Sequence, residues 1–326
     1  MKKFILILLT LAMILGMLTA CGAASEDKGK ASVAATEATE PAPTETPEEA
    51  EVLKIMILGS SRSINAFQFL WNAFNDQMPD QKVVLGVMYY SGCSITEHVD
   101  FVSNNKAVYR YYYNDSGKWE TTDDVTMDVG LADQAWDVIF LQAGDGDTAN
   151  NMNESGRKYL VDYVNGIVKT PHTFWWHSTW FNATDPDLYA DNKKAESYSV
   201  NQEAQLTASN EAAKKYVLDD PMFEGRITSG TPMMYAHNVL GYADKDLFRD
   251  HTHLSDFGYL LVAYAFYAQF TGNEVTQINI DSIPAHLRHK NTQGQGDLQI
   301  TEEMKDAIVK TVDYTLKNPW AVPTAP

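Results

Sequence analysis

Short apolar runs recur along this chain, separated by stretches whose apolar residues keep helical spacing. That alternation limits the possible folds more than any other feature. "VLKIMILG" (52–59) puts Leu53, Ile55 and Ile57 on one side and Lys54, Met56 and Leu58 on the other. One side is fully apolar and the other mostly so, which predicts a strand covered on both faces. A Gly/Ser turn follows. Then "INAFQFLWNAFNDQ" spaces Phe67, Leu70, Trp71 and Phe74 as a helix does. Further strands are predicted at 82–94, 135–142, 172–181 and 225–232. Helices are predicted at 154–169, from about 195 to 217, through the segment ending at Phe270, and at 301–316. Residues 107–122 read as an exposed hairpin turning at Asn114-Asp115-Ser116-Gly117. Strands that alternate with helices predict an α/β fold: a three-layer α/β/α sandwich around a mostly parallel sheet. In such sheets ligands bind at the carboxyl ends of the strands. The turns after Leu58, Tyr90 and Leu141 are therefore where a site is expected.

The first segment follows a different pattern. Lys2 and Lys3 precede "FILILLTLAMILGML", an apolar stretch of signal-peptide length. It ends at Leu18-Thr19-Ala20-Cys21, which is similar to the bacterial lipobox, whose cysteine carries the lipid. The alternatives are an ordinary secretory signal or an N-terminal membrane anchor. The expectation is a lipoprotein signal at 1–20, lipidation at Cys21, and residence outside the cytoplasm on the bacterial cell membrane. Residues 21–51 are Ala, Thr, Glu and Pro with almost no bulky apolar side chains. They are expected to stay disordered as a tether, reaching on the order of 30 Å. The body is assigned to 52–326, and no later run is long enough to span a bilayer. With Cys21 lipidated, Cys93 is the one remaining thiol, which leaves no intramolecular disulfide and no Cys-rich metal site. The formal net charge of −18 argues against nucleic acid as a partner and favours a neutral substrate.

"FRDHTHLSDFGYLL" (248–261) crowds Asp250, His251 and His253 in front of an apolar run. A serine hydroxyl is a weak nucleophile until a base takes its proton, and the base needs a third group to fix its tautomer. Ser61 lies on the turn after the first strand. Asp250 precedes His253 by three residues, so a turn can bring its carboxylate to Nδ1. Ser255 is the expected cap of the helix that follows. Two other readings stay open. Ser61 in a Gly/Ser turn can be only a helix cap, and Asp250, His251 and His253 can be a metal group, although no further ligand set is evident.

Gly59-Ser60-Ser61, Gly92 and Asp250-x-x-His253 resemble, in order and placement, the SGNH (GDSL-like) hydrolases. "WDVIFLQ", "SGTP" and "DHTHLSDFGYLL" are similar to an uncharacterised secreted bacterial group in that superfamily with a strand-end Gly-Asn-Ser motif. The resemblance covers about Leu53 to Pro319. It implies the flavodoxin-like SGNH fold, with Ser61 as nucleophile, His253 as base and Asp250 as its orienting partner. It also implies an oxyanion hole from the backbone N–H groups of Ser61 and Gly92. The third donor of these enzymes is an Asn in Gly-x-Asn-Asp. Here "QAGDGD" (142–147) holds Gly146 at that place, so Gln142 is the alternative donor, or else a plain strand-end amide. Ser60 stands where the larger family has Asp. Arg62 stands where the closer group has an aromatic residue, and is read as lining the pocket or reaching a substrate carboxylate. Trp180 is read either as a pocket wall or as core.

These residues predict an exported, lipid-anchored serine esterase acting on short-chain esters, acetyl above all, on carbohydrate. It would work through an acyl-Ser61 intermediate, with neither metal nor organic cofactor. Two other classes compete: a non-catalytic glycan-binding envelope lipoprotein on the same fold, and the binding lipoprotein of a transporter. The second leaves Asp250-x-x-His253 without a purpose.

Overall fold

In the computed structural model the described residues are 51–142, 154–189, 201–279 and 301–326. The compact unit to which they belong runs from Ala50 to Pro326. Seven strands form one sheet in the order β4-β3-β2-β1-β5-β6-β7. They are β1 (Leu53–Gly59), β2 (Val83–Tyr89), β3 (Tyr109–Asn114), β4 (Glu120–Val125), β5 (Val138–Leu141), β6 (Thr173–Ser178) and β7 (Gly225–Thr228). β1 is parallel to β2 and to β5, and β5–β6 and β6–β7 are parallel as well. β3 and β4 are antiparallel.

The helices are α1 (Ser61–Phe67), α2 (Leu70–Gln77), α3 (Ile95–Ser103), α4 (Met127–Asp133), α5 (Glu154–Ile167), α6 (Gln202–Tyr216), α7 (Gly230–Met234), α8 (Asp244–Leu247), α9 (Asp256–Thr271) and α10 (Glu302–Lys317). Two apolar cores, one on each face of the sheet, give three layers. Alternation along the strands sorts residues between them. Ile55, Ile57, Leu85, Val87 and Phe140 face the core that holds α1, α2 and α9. Met56, Leu58, Val84, Met88, Ile139 and Leu141 face the other. α9 is apolar all round, as a helix enclosed on every side must be, and Phe257 through Ala268 are all buried. Among the described residues no helix is long and apolar enough to cross a membrane.

The α/β architecture is the one the alternation predicts, and three elements differ from expectation. The strand expected at 225–232 ends at Thr228, and α7 begins at Gly230. Residues 64–77 form two helices, α1 and α2. Phe67 and Phe69 are both fully buried, and a continuous helix would point them in opposing directions. The break lets Phe67 meet Phe140 and Phe266 while Phe69 meets Tyr259. The Tyr-rich hairpin does not stand apart in solvent. β3 pairs with β2 and widens the sheet, and Tyr109 and Tyr111 are buried.

Candidate active site

β1 lies between β2 and β5, the place where the strand order reverses, and in such sheets ligands bind beyond the carboxyl ends of the strands there. Ser61 is the first residue of α1 at the end of β1. The capping duty belongs to its neighbour. Ser60 is extended (φ −110°, ψ −166°), and its hydroxyl accepts from the Arg62 N–H. The Ser61 hydroxyl is thus released from the helix end, half-exposed and without a hydrogen bond among the described residues. The turn is held from below. Gln142, at the end of β5 and 0 % exposed, accepts through Oε1 from Ser60 N–H (3.1 Å), Ser60 Oγ (3.0 Å) and Ser63 Oγ (2.8 Å). Gly59 is needed here. A Cβ on it would lie 2.1 Å from Ser63 Oγ and 2.7 Å from Gln142 Oε1.

Beside this turn, Tyr90 N–H extends the β1–β2 pairing to Gly59 O at 3.2 Å. Gly92 then turns the chain with φ +60°, a conformation that favours glycine, and it is exposed. Neither the Ser61 N–H nor the Gly92 N–H meets an acceptor among the described residues. Cys93 is buried. Burial, with Glu97 adding to it, pushes its thiol far above the ordinary range, so it packs as a small apolar side chain.

The loop before α9 supplies the other half. Asp250 holds His253 Nδ1 at 3.0 Å and 2.9 Å through its two oxygens, and Oδ1 also accepts from the backbone N–H groups of Thr252 (3.0 Å) and His253 (2.8 Å). Burial raises the Asp250 carboxyl, but these hydrogen bonds outweigh it and hold the group well below the usual range. Ser255 caps α9 through Gly258 N–H. The two side chains are 26 % and 37 % exposed, His253 and Asp250 respectively, so the ring reaches solvent while it is being oriented.

Contacts from residues next to Ser61 bring this loop to α1. Arg62 Nη2 donates to Thr252 Oγ1 at 2.7 Å, and Asn65 Oδ1 accepts from Leu254 N–H at 3.3 Å. The Ser61 hydroxyl itself is not hydrogen-bonded to His253, and such contacts tighten only when substrate is bound in many enzymes. His251 is turned elsewhere. Its ring stacks on Tyr189 and its carbonyl accepts from Ala183 N–H at 2.8 Å. Among the described residues no three His, Cys, Asp or Glu side chains gather as a metal group.

Arg62 and Trp180, expected at the pocket, are drawn into the protein. Both are buried, at 1 % and 2 % exposure, because their polar atoms are used inside the protein. Arg62 donates to Thr179 Oγ1, Trp180 O and Asn182 Oδ1 as well as to Thr252. The Trp180 ring packs against the Arg62 guanidinium, and its Nε1 donates to Thr252 O at 2.9 Å. His177, buried beneath, is held down to about 3 by burial and by the Arg62 charge, so it is neutral and donates to or accepts from Ser229 Oγ at 2.8 Å. Gln142 likewise spends its carbonyl end on the serine turn. The block "AGDGD" after it lies outside the described residues.

A family described as a domain of unknown function (DUF4886) matches residues 54–293. The chain belongs to the DUF4886 family. A crystal structure of a DUF4886 family protein from Bacteroides uniformis has the same fold, with a TM-score of 0.66 and 22 % identity over 84 % of this chain and 98 % of that one. Weaker likenesses are to a member of the lipolytic protein G-D-S-L family from Veillonella parvula and to the C-terminal catalytic domain of a Streptococcus pneumoniae peptidoglycan O-acetyltransferase. The first has a TM-score of 0.35 at 15 % identity over 68 % of this chain and 99 % of that one. The second has 0.29 at 12 % over 68 % and 94 %. No curated protein matches the chain.

Sequence reasoning missed the residues that join the two halves of this DUF4886 site. Asn65 lies one helical turn after Ser61, which is a signal that spacing alone can give. Thr252 and Asn182 carry none, because their role exists only once β6 and α9 are packed side by side.

Proposed function

We propose that this DUF4886 protein is an exported, lipid-anchored serine hydrolase of the SGNH type. It cleaves short-chain esters, acetyl above all, on carbohydrate. One observation carries the reading. An Asp250 carboxylate sits on His253 Nδ1, in a loop tied through Arg62 and Asn65 to the helix that begins with Ser61.

In the proposed reaction His253 Nε2 takes the Ser61 proton as Oγ attacks the ester carbonyl carbon. The N–H groups of Ser61 and Gly92 receive the negative oxygen; each such donor is worth on the order of 10²–10³ in rate. When the intermediate collapses, the bond to the alcohol oxygen breaks, and His253 gives its proton to the leaving alcohol. Water, deprotonated by His253, then attacks the acyl-Ser61 carbonyl, and the carboxylic acid departs as the Ser61 hydroxyl is restored. Asp250 stays ionised throughout and keeps Nδ1 protonated. Gln142 shapes the serine turn by accepting, and its Nε2 is the candidate third oxyanion donor.

The test uses the purified full chain with p-nitrophenyl acetate, O-acetylated saccharides and a fluorophosphonate probe. Wild type should hydrolyse acetyl esters and be labelled at Ser61. Ser61→Ala and His253→Ala should each lose at least about 10³-fold in kcat. A wild type that neither labels nor turns over, yet retains glycans, would replace the hydrolase by the binding lipoprotein.

A further inference from the structure

Arg62 puts a permanent charge inside the protein one residue after Ser61, at 1 % exposure. Burying a guanidinium costs several kcal/mol unless its protons find acceptors. Its side chain joins three segments: the start of α1, the loop after β6 and the loop before α9. The side chain grows from α1, and Nη1 reaches Thr179 Oγ1 and Trp180 O just beyond β6. Nη2 reaches Asn182 Oδ1 at 2.5 Å on that same loop and Thr252 Oγ1 at 2.7 Å beside His253. The acceptors are themselves connected. Thr252 Oγ1 donates to Asn182 Oδ1 at 3.0 Å, and Trp180 Nε1 holds Thr252 O.

We propose that Arg62 is a positioning residue for the hydrolytic reaction, fixing the loop that carries His253 against the turn that carries Ser61. The inference rests on the hydrolase reading above. Its chemistry explains the residue type. A flat guanidinium offers several N–H groups in a rigid fork, so one side chain serves acceptors on different segments at once. A lysine ammonium is a point charge on a flexible stem and holds no such geometry. The nucleophile and base come from segments far apart in sequence, and a misplacement of about 1 Å costs on the order of 10²-fold in rate.

The experiment is a double-mutant cycle on the full chain with Arg62→Lys, Thr252→Val and the pair. Each single change should lower kcat about 10- to 100-fold with KM held within about twofold, and the rate of fluorophosphonate labelling should fall in parallel. The pair should be little worse than the worse single, because both break the same link. A contact that serves only stability would lower the thermal midpoint and leave kcat per folded molecule intact. That result, or effects that multiply in the pair, overturns the proposal. Thr252→Val keeps the test open if Arg62→Lys folds poorly. Hydrogen exchange of residues 250–254 separates the two levels of the argument. Exchange there should speed at least about 10-fold in Arg62→Lys. Unchanged exchange refutes the clamp, whereas a wild type inert to probe and ester refutes the hydrolase reading whatever the exchange does.

Discussion

At the scale of single residues, the serine turn divides one task between neighbours. Ser60 caps α1 and is fully buried, while Ser61 keeps a half-exposed hydroxyl. Gln142 makes the division possible. Its Oε1 takes two hydroxyls and one N–H that would otherwise be buried without an acceptor, at about 1–3 kcal/mol for each such group. Gln142→Ala distinguishes the two roles this residue can have. A Gln142 that works only by accepting should lower the thermal midpoint and leave kcat per folded molecule nearly intact. A Gln142 whose amide N–H stabilises the oxyanion should lose about 10- to 10³-fold in kcat with little change in KM. Steady-state kinetics on p-nitrophenyl acetate, with the thermal midpoint beside it, decides between them.

At the scale of elements, the described residues that follow β6 (179–189) hold Arg62 and Thr252, and one buried carboxylate organises them. Asp244, at the start of α8, accepts from the backbone N–H groups of Thr184 (2.6 Å) and Asp185 (2.9 Å), from Gln202 Nε2 (2.8 Å) and from His237 Nε2 (3.3 Å). His237 lies in a π-turn (Tyr235–Val239), and its Nδ1 meets Asn238 Oδ1 at 2.8 Å. Asn238 spends its amide N–H groups on Glu203 and Pro323 O, so both His237 nitrogens face acceptors. Burial raises the Asp244 carboxyl, but the hydrogen bonds from His237, Gln202, Thr184 and Asp185 outweigh it and bring it to about 2. His237 is raised, through its hydrogen bond to Asp244 first, against an opposing effect of burial. The signs follow. The Asp244 contribution is complete above the unfolded value of 3.8, and is lost as pH falls from there to about 2. The His237 contribution is present below 6.5 and is lost as pH rises through its elevated folded value. Asp244→Asn should therefore lower stability by on the order of 2 kcal/mol near pH 5, and by progressively less below pH 4. Thermal midpoints against pH measure this, and a deficit that stays constant down to pH 2 would refute it.

None of that hub was legible in the sequence, because Thr184, Gln202, His237 and Asp244 lie on four elements and share no motif. The sheet was legible, since β1, β2 and β5 write their two-faced burial in consecutive apolar residues. The Asp250–His253 contact was legible for a different reason: three residues and one turn fix it locally. The burial of Arg62 was not legible, because its acceptors come from the loop after β6 and the loop before α9, both far from it in sequence.

At the scale of the whole molecule, the site and the point where the chain enters the sheet lie at opposite edges. β1 runs Leu53–Gly59, 7 residues, which is about 20 Å at a rise of ~3.3 Å per residue. Ser61 follows its carboxyl end, and the segment that leads back to Cys21 joins its amino end. The chain thus enters this unit one strand length from Ser61. The prediction has two arms. A fatty-acid probe should label wild type and leave Cys21→Ser unlabelled, with Cys21→Ser found as precursor or released. Equal labelling of the two would refute the anchor. Turnover of O-acetylated saccharide by folded protein should be the same, within about twofold, for anchored wild type and released Cys21→Ser, because Cys21 takes no part in the proposed chemistry. Phospholipid vesicles should yield no fatty acid with either protein, and release of fatty acid would refute the preference for short acyl chains.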